Sequence, residues 1–505
     1  MAAEGTIFLG AGSQPVSLDL RFGNRHGLVA GATGTGKTVT LQVMVEGFSR
    51  AGVPVMIADV KGDLSGLCMP GNVGGKMGER AKRIGLQDFS AQGFPVVFWD
   101  VFGKNGHPMR TTISDMGPVL LARLMGLNET QEGVLQAAFA LADDEGLLLL
   151  DLDDLRALLR FLEENRNELS QRYGNVTQAS VGAIVRQIMA LEREGGAQFF
   201  GEPALEVADL IQGDRYGMGL VHVVDATTLI HKPRLYAAVM LWLLSELFEN
   251  LPEVGDLEKP VFVLFLDEAH LLFDGAPKAL LDKVEQVARL IRSKGVGVYF
   301  VTQNPLDIPP DIAGQLGNRV QHALRAFTAR DQKAVDAAAE TFRSNPAFDA
   351  KTVITELGVG EALVSVLQEG GVPSVVERTL LRPPSSKLGP AGPAELANAQ
   401  KFSPYAGRYD VSVNRESAHE ILGTRAEKAA QSASQAEEEA KQAKEAARQE
   451  ALQEKEERRL RRSSVPSSRR EGVGEALAKS VVRAVGSRIG REIVRGVLGG
   501  LFRGK

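Results

Sequence analysis

A chain of 505 residues is too long for one compact domain and suits two or three. With 44% hydrophobic and 24% charged residues it has the balance of a soluble globular protein. It lacks both a run of about 18 uncharged apolar residues and the basic-then-apolar start of a signal peptide. Its single cysteine, Cys68, excludes an internal disulfide and a Cys-rich zinc site. Its net charge of −5 excludes wholesale nucleic-acid binding but not local basic patches, and the expected location is the cytoplasm.

Gly27–Ala30 reads as a short strand leading into a glycine-rich loop, and Thr38–Ala51 has helical spacing through Leu41, Val45 and Phe48. Pro54–Asp59 and Phe94–Val101 are continuous apolar runs, as buried parallel strands would be. From Ile113 to Ile211 the pattern turns helical (Val119–Leu127, Glu132–Ala142, Leu152–Asn165, Ala179–Glu194), which predicts an insertion over 113–211. Strands then resume at Gly219–Asp225, Val261–Asp267, Gly297–Gln303, Arg319–Ala326 and Glu361–Leu367, with helices at Arg234–Asn250 and Lys278–Ser293 between the first three.

Strands alternating with helices imply right-handed crossovers and a mainly parallel central sheet, an α/β core in two parts, 1–112 and 212–382. Residues 383–424, rich in Pro, Gly and Ser, have linker composition. Residues 425–462 are dominated by Ala, Glu, Gln, Lys and Arg and read as an exposed helix, with mostly Ala at coiled-coil core positions. The end of the chain, 471–505, resembles a basic amphipathic helix that fits an anionic membrane or a protein partner. From Arg458 to Lys505 there are thirteen Lys and Arg against three Glu.

The segment GATGTGKT matches G-x-x-x-x-G-K-[ST] at every fixed position: Gly31, Ala32, Thr33, Gly34, Thr35, Gly36, Lys37, Thr38. Glycines let the backbone N–H groups close on phosphate oxygens, and the following helix adds the positive end of its dipole. Lys37 reaches the terminal phosphates, and the Thr38 hydroxyl is a ligand for Mg2+ beside ATP. In VFVLFLDEAH, six apolar residues deliver Asp267 to hold the metal's hydration shell and Glu268 to deprotonate the attacking water. Gln303, at the tip of the next strand, can sense the terminal phosphate. Asp59 either bonds near the metal or caps its own turn, where Lys61 and Gly62 mark a tight loop. His270 reads as a local structural residue. Candidates for an arginine supplied by a neighbouring subunit are Arg289, Arg292, Arg319, Arg325 and Arg330. Lys76–Arg83 and Arg110 are basic loop candidates for phosphate contacts.

The segments GLVAGATGTGKTVTLQ, ADVKGDLSGL, FLDEAH, VTQNPLDIP and GNRVQHALRAFTARDQKAV, in that order, resemble the HerA/FtsK superfamily, and more narrowly the helicase HerA-like C-terminal branch. The resemblance covers residues 5–385. It implies a RecA-like P-loop NTPase fold, ATP hydrolysis with Mg2+ and a homo-oligomeric, commonly hexameric ring moving along duplex DNA. It carries phosphate binding to Lys37, metal binding to Thr38 and Asp267, water activation to Glu268 and γ-phosphate sensing to Gln303. Full HerA motors place a β-barrel before the P-loop. The 30 residues ahead of Gly31 are too few for one, so the resemblance does not extend to nuclease docking through it. Two other functions remain open: a nucleotide-regulated scaffold or membrane-associated switch using the basic tail, and a protein-remodelling ATPase.

Overall fold

A computed structural model of the chain describes residues 5–87, 89–273 and 278–463. The basic segment 471–505 lies outside the described residues.

Among the described residues the main sheet has twelve strands: β1 (Thr6–Ala11), β2 (Pro15–Asp19), β3 (Gly27–Ala30), β4 (Val55–Asp59), β5 (Val96–Asp100), β6 (His107–Pro108), β7 (Val221–Asp225), β8 (Phe262–Leu266), β9 (Val296–Thr302), β10 (Asn318–Gln321), β11 (Glu361–Ser365) and β14 (Glu377–Leu381). Leu367–Gln368 and Val372–Pro373 form a separate ribbon, β12 and β13. The order is β2-β1-β14-β11-β10-β3-β9-β8-β4-β7-β5-β6. From β10 to β6 every pairing is parallel. From β10 outward to β2 every pairing is antiparallel. The central strands β4, β5, β8 and β9 are buried at every residue, which is why they read as unbroken apolar runs. The hairpin β1–β2 escaped the sequence reading because only alternate side chains of β1 face the core and Gly10 interrupts its pattern.

Between β6 and β7 the chain is helical from Ile113 to Leu210. Three of these helices begin with a capping box, Thr112 with Asp115, Asn128 with Gln131 and Asp151 with Asp154, so the sequence itself satisfies their first N–H groups. Together with the helix Pro233–Asn250 they cover one face of the sheet, around Trp99 and Trp242. The helix Lys37–Arg50 and the N-terminal hairpin cover the other.

Residues 383–424, read as a linker from composition, are fastened to the rest of the chain at several points. Glu46, fully buried, accepts from the Ser385 and Ser386 N–H groups at 2.9 and 2.8 Å and from the Ser386 hydroxyl at 2.6 Å. A helix follows at Pro393–Lys401. Tyr405 and Tyr409 then bury themselves against Trp99, and the Tyr409 hydroxyl and Arg408 both bond to the carboxylate of Asp209. Composition registers Pro, Gly and Ser but not their partners some 200 to 340 residues away. A single helix, Ala418–Ser463, contains the charged stretch. At its start the Ser417 hydroxyl and the His419 N–H bond to the buried carboxylate of Asp154. Among the described residues no helix is long and apolar enough to cross a membrane.

His222 is fully buried, receives the Trp99 indole N–H on Nδ1 at 3.0 Å and faces the Leu210 carbonyl with Nε2 at 3.1 Å. Burial pushes its pKa from 6.5 down to about 3. A depressed histidine stabilises the fold above pH 6.5 and withdraws that stability as pH falls toward its folded value. His222→Asn removes this titration. The variant's stability deficit relative to wild type, from urea midpoints, is therefore expected to shrink by about 2 kcal/mol between pH 7.5 and 5.0. A deficit that does not change with pH would contradict the neutral, buried assignment.

Candidate active site

The C-terminal ends of β3, β9, β8 and β4 lie side by side, with Ala30 opposite Thr302, Leu266 opposite Phe300 and Ala58 opposite Leu266. This register places the loop after β3 against Gln303 and the acids after β8, where ligands of parallel sheets gather. Gly31 takes φ 152°, and a Cβ on it would stand 2.4 Å from the Cβ of His322. Only glycine fits that close approach. Gly36, at φ 117°, turns the chain into the helix Lys37–Arg50.

Lys37 is buried, and its ammonium donates to the Gly31 and Ala32 carbonyls at 2.6 and 3.1 Å. Burial and the neighbouring ammonium of Lys61 hold its pKa below the ordinary lysine value. The Thr33 hydroxyl donates to Gln303 Oε1 at 3.0 Å, and Gln303 Nε2 donates to the Glu268 carboxylate at 3.1 and 3.2 Å. Lys61 Nζ lies 2.7 Å from Glu268 Oε1 and 4.0 Å from Asp267 Oδ2. One polar path thus runs Thr33–Gln303–Glu268–Lys61. Glu268 sits at φ 48°, a left-handed conformation sparsely populated by a non-glycine residue, and its strain is held by these partners.

The two neighbouring acids differ. Burial pushes Asp267 up to about 6, with Lys61 pulling it down and Glu268 pushing it up. Burial also acts to raise Glu268, but Lys61 and Gln303 outweigh it and keep the carboxylate below its ordinary range. Asp267 Oδ2 and Asp63 Oδ1 are buried oxygens without a hydrogen-bond partner. The Thr38 hydroxyl bonds to Asp63. Hard oxygen donors of this kind fit Mg2+. Among the described residues no group of three or more His, Cys, Asp or Glu forms a protein cage.

Asp59 caps its own turn and also acts electrostatically on Asp267. Its carboxylate accepts from the Lys61, Gly62 and Leu64 N–H groups at 3.2, 2.8 and 3.0 Å, the turn-capping alternative, and burial raises it to about 6. His270 is beside the site after all, with Nδ1 3.4 Å from Glu268 Oε2.

The arginine candidates separate. Arg319 is tied to the Ala313 carbonyl at 2.7 Å and sits in a partly buried position, so it is withdrawn. Arg289 is exposed and 3.7 Å from Glu285, Arg292 is exposed near Arg25 and Asp256, and Arg330 is exposed. Arg325 lines a cavity of about 410 Å3 with Ala32, Thr33 and Gln303, and therefore borders its own phosphate loop. The basic stretch 76–83 belongs to a helix, Gly75–Arg83, rather than a loop, and Arg80 donates to the Val359 carbonyl. Arg110 is bound to the Tyr409 carbonyl.

The sequence reading passed over Lys61 and Asp63 as contributors, though both stand in the charged turn DVKGD directly after a buried strand. It also missed His322, buried beneath the loop with Nε2 2.8 Å from the Thr40 hydroxyl. Nothing local marks that residue.

A mainly parallel sheet with a glycine-rich phosphate loop after one strand and an acidic pair after a nearby one is the arrangement of a P-loop ATPase with a RecA-like core. The profile of the helicase HerA-like C-terminal family matches residues 6–505, and the chain belongs to that family. The fold is shared with the bacterial conjugative coupling protein TrwBdeltaN70, unbound, at TM-score 0.51 and 14% identity over 78% of this chain and 92% of that one. It is shared equally with plasmid coupling protein TrwB in complex with the GTP analogue GDPNP, at 0.51 and 14% over 75% and 90%. The Probable helicase MJECL08 of Methanocaldococcus jannaschii is 30% identical over 125 residues, 24% of this chain. The chain spans 22% of that relative's length.

Proposed function

We propose that the protein is an ATP-driven ring motor, a homo-hexamer that translocates on DNA without regard to sequence. The observation that carries this reading is the polar path Thr33–Gln303–Glu268–Lys61, which joins the phosphate loop to the acidic end of β8. Such a path lets the state of the terminal phosphate reach two other strands at once. Residues 1–112 and 212–382 are read as the two parts of the motor core, and 113–211 as its helical insertion.

Bound Mg2+, held by Thr38 and Asp267, would neutralise charge on the terminal phosphates. Lys37 binds those phosphates and exchanges its loop carbonyls for them. Glu268 orients the attacking water and takes its proton, and Gln303 reports the terminal phosphate. A neighbouring subunit supplies an arginine, for which Arg289, Arg292, Arg325 and Arg330 remain available. The cytoplasm is the proposed location. An anionic membrane or protein partner is proposed for 471–505, which lies outside the described residues.

The test is an ATPase assay with duplex DNA, single-stranded DNA, RNA and no nucleic acid at two salt concentrations. Duplex DNA is expected to stimulate hydrolysis at least several-fold and to retain stimulation at the higher salt, beyond bare charge attraction. No stimulation by any nucleic acid would favour the switch or protein-remodelling alternatives. A strictly monomeric, fully active enzyme would remove the ring.

A further inference from the structure

Lys61 has no assigned part in the reaction, yet it is the cation nearest to both acids at the end of β8. Its backbone is held by a buried carboxylate, while its side chain is partly exposed and paired with Glu268. The Asp59 carboxylate clamps the N–H groups of Lys61, Gly62 and Leu64, which holds the turn rigid. The Lys61 side chain is 38% exposed and carries a compact charge on a flexible stem. It also acts electrostatically on Lys37, so the two ammonium groups are neighbours, one at the start of the helix that follows β3 and the other in the turn that follows β4.

Glu268 is fully engaged in this arrangement. Lys61 takes Oε1 at 2.7 Å, and Gln303 Nε2 reaches both oxygens at 3.1 and 3.2 Å. A carboxylate so occupied has little room to accept a proton from water. A base must stand within hydrogen-bond reach of the proton it removes. The terminal phosphate of ATP carries more negative charge than one carboxylate and three acceptor oxygens, so it competes effectively for an ammonium group.

We propose that Lys61 is a second phosphate-contacting cation that holds Glu268 idle until a terminal phosphate arrives, then turns to that phosphate and frees the carboxylate. This rests on the ATPase reading of the site. With Lys61 on the phosphate, a water oxygen forms a bond to the γ-phosphorus. The bond from that phosphorus to the bridging oxygen breaks, and its electron pair leaves on ADP. The water's proton passes to Glu268, and inorganic phosphate is released. Glu268 passes its proton on to the departing phosphate, and Lys61 then returns to the restored carboxylate, because ADP offers no terminal phosphate to hold it.

This arrangement separates triphosphate from diphosphate binding, which a merely structural lysine would not do. Full-length wild type, Lys61→Met and Lys61→Arg are titrated calorimetrically with Mg2+ and either ADP or the β,γ-imido analogue of ATP, and phosphate release is measured. In Lys61→Met the affinity for the imido analogue is expected to fall about tenfold while ADP affinity stays within about twofold. Its kcat is expected to fall about 100-fold or more. Lys61→Arg, which keeps the charge, is expected to recover most of the imido-analogue affinity. Equal losses for both nucleotides, or wild-type affinity and kcat in Lys61→Met, would overturn the proposal while leaving the ATPase reading intact. Wild-type protein that binds neither nucleotide would overturn both.

Discussion

Lys37→Ala is expected to lose ATP binding by more than about 100-fold and to show no measurable hydrolysis, with its fold intact. The ammonium contributes nothing to the protein's own stability that alanine would forfeit. It is desolvated, its pKa is lowered by burial and by Lys61, and its contacts are the carbonyls of its own loop at 2.6 and 3.1 Å. Removing a buried charge with such partners leaves the apo protein as stable as wild type or slightly more so. Nucleotide titration and thermal melting of the same sample check both halves. ATP binding retained at wild-type strength would place the phosphates elsewhere. Binding lost together with the melting transition would mean that Lys37 is structural.

Glu268→Gln is expected to separate binding from chemistry. The amide keeps the size of the side chain and can still bond Gln303, so ATP affinity is expected to stay within about threefold of wild type. Turnover is expected to fall by about 100- to 10,000-fold, the contribution of a positioned general base. Single-turnover hydrolysis beside equilibrium nucleotide binding distinguishes the two effects. Wild-type turnover in this variant would show that another group takes the proton. His270, 3.4 Å from Glu268, would then be the first residue to replace.

The parts of this site that were legible in the sequence are those whose chemistry is local. Gly31–Thr38 can be read because its glycines, lysine and threonine fall within eight residues, whereas the close approach of His322 to Gly31 cannot. Asp267 and Glu268 can be read because a run of buried strand residues ends on them. Gln303 was legible as a strand tip, but its bonds to Thr33 and Glu268 were not, since they span 270 and 35 residues. Lys61 looked like a turn residue because its partners come from β8. Arg319 looked available because sequence does not display the Ala313 carbonyl it serves. In the fold, the central strands announced themselves by burial on both faces. The edge hairpin β1–β2 and the segment 383–424 did not, since their order comes from partners far along the chain.

The fastening of residues 402–425 has a practical consequence for anyone dividing this protein. A cut placed after Leu381, where the last strand of the sheet ends, would strip the aromatic cover from Trp99. It would leave Asp209 without Arg408 and the Tyr409 hydroxyl, and Asp154 without Ser417 and the His419 N–H. Two buried carboxylates stranded in an uncovered helical layer make a poor fragment. The smallest piece worth expressing therefore runs through Arg425, some forty residues beyond the end of the sheet.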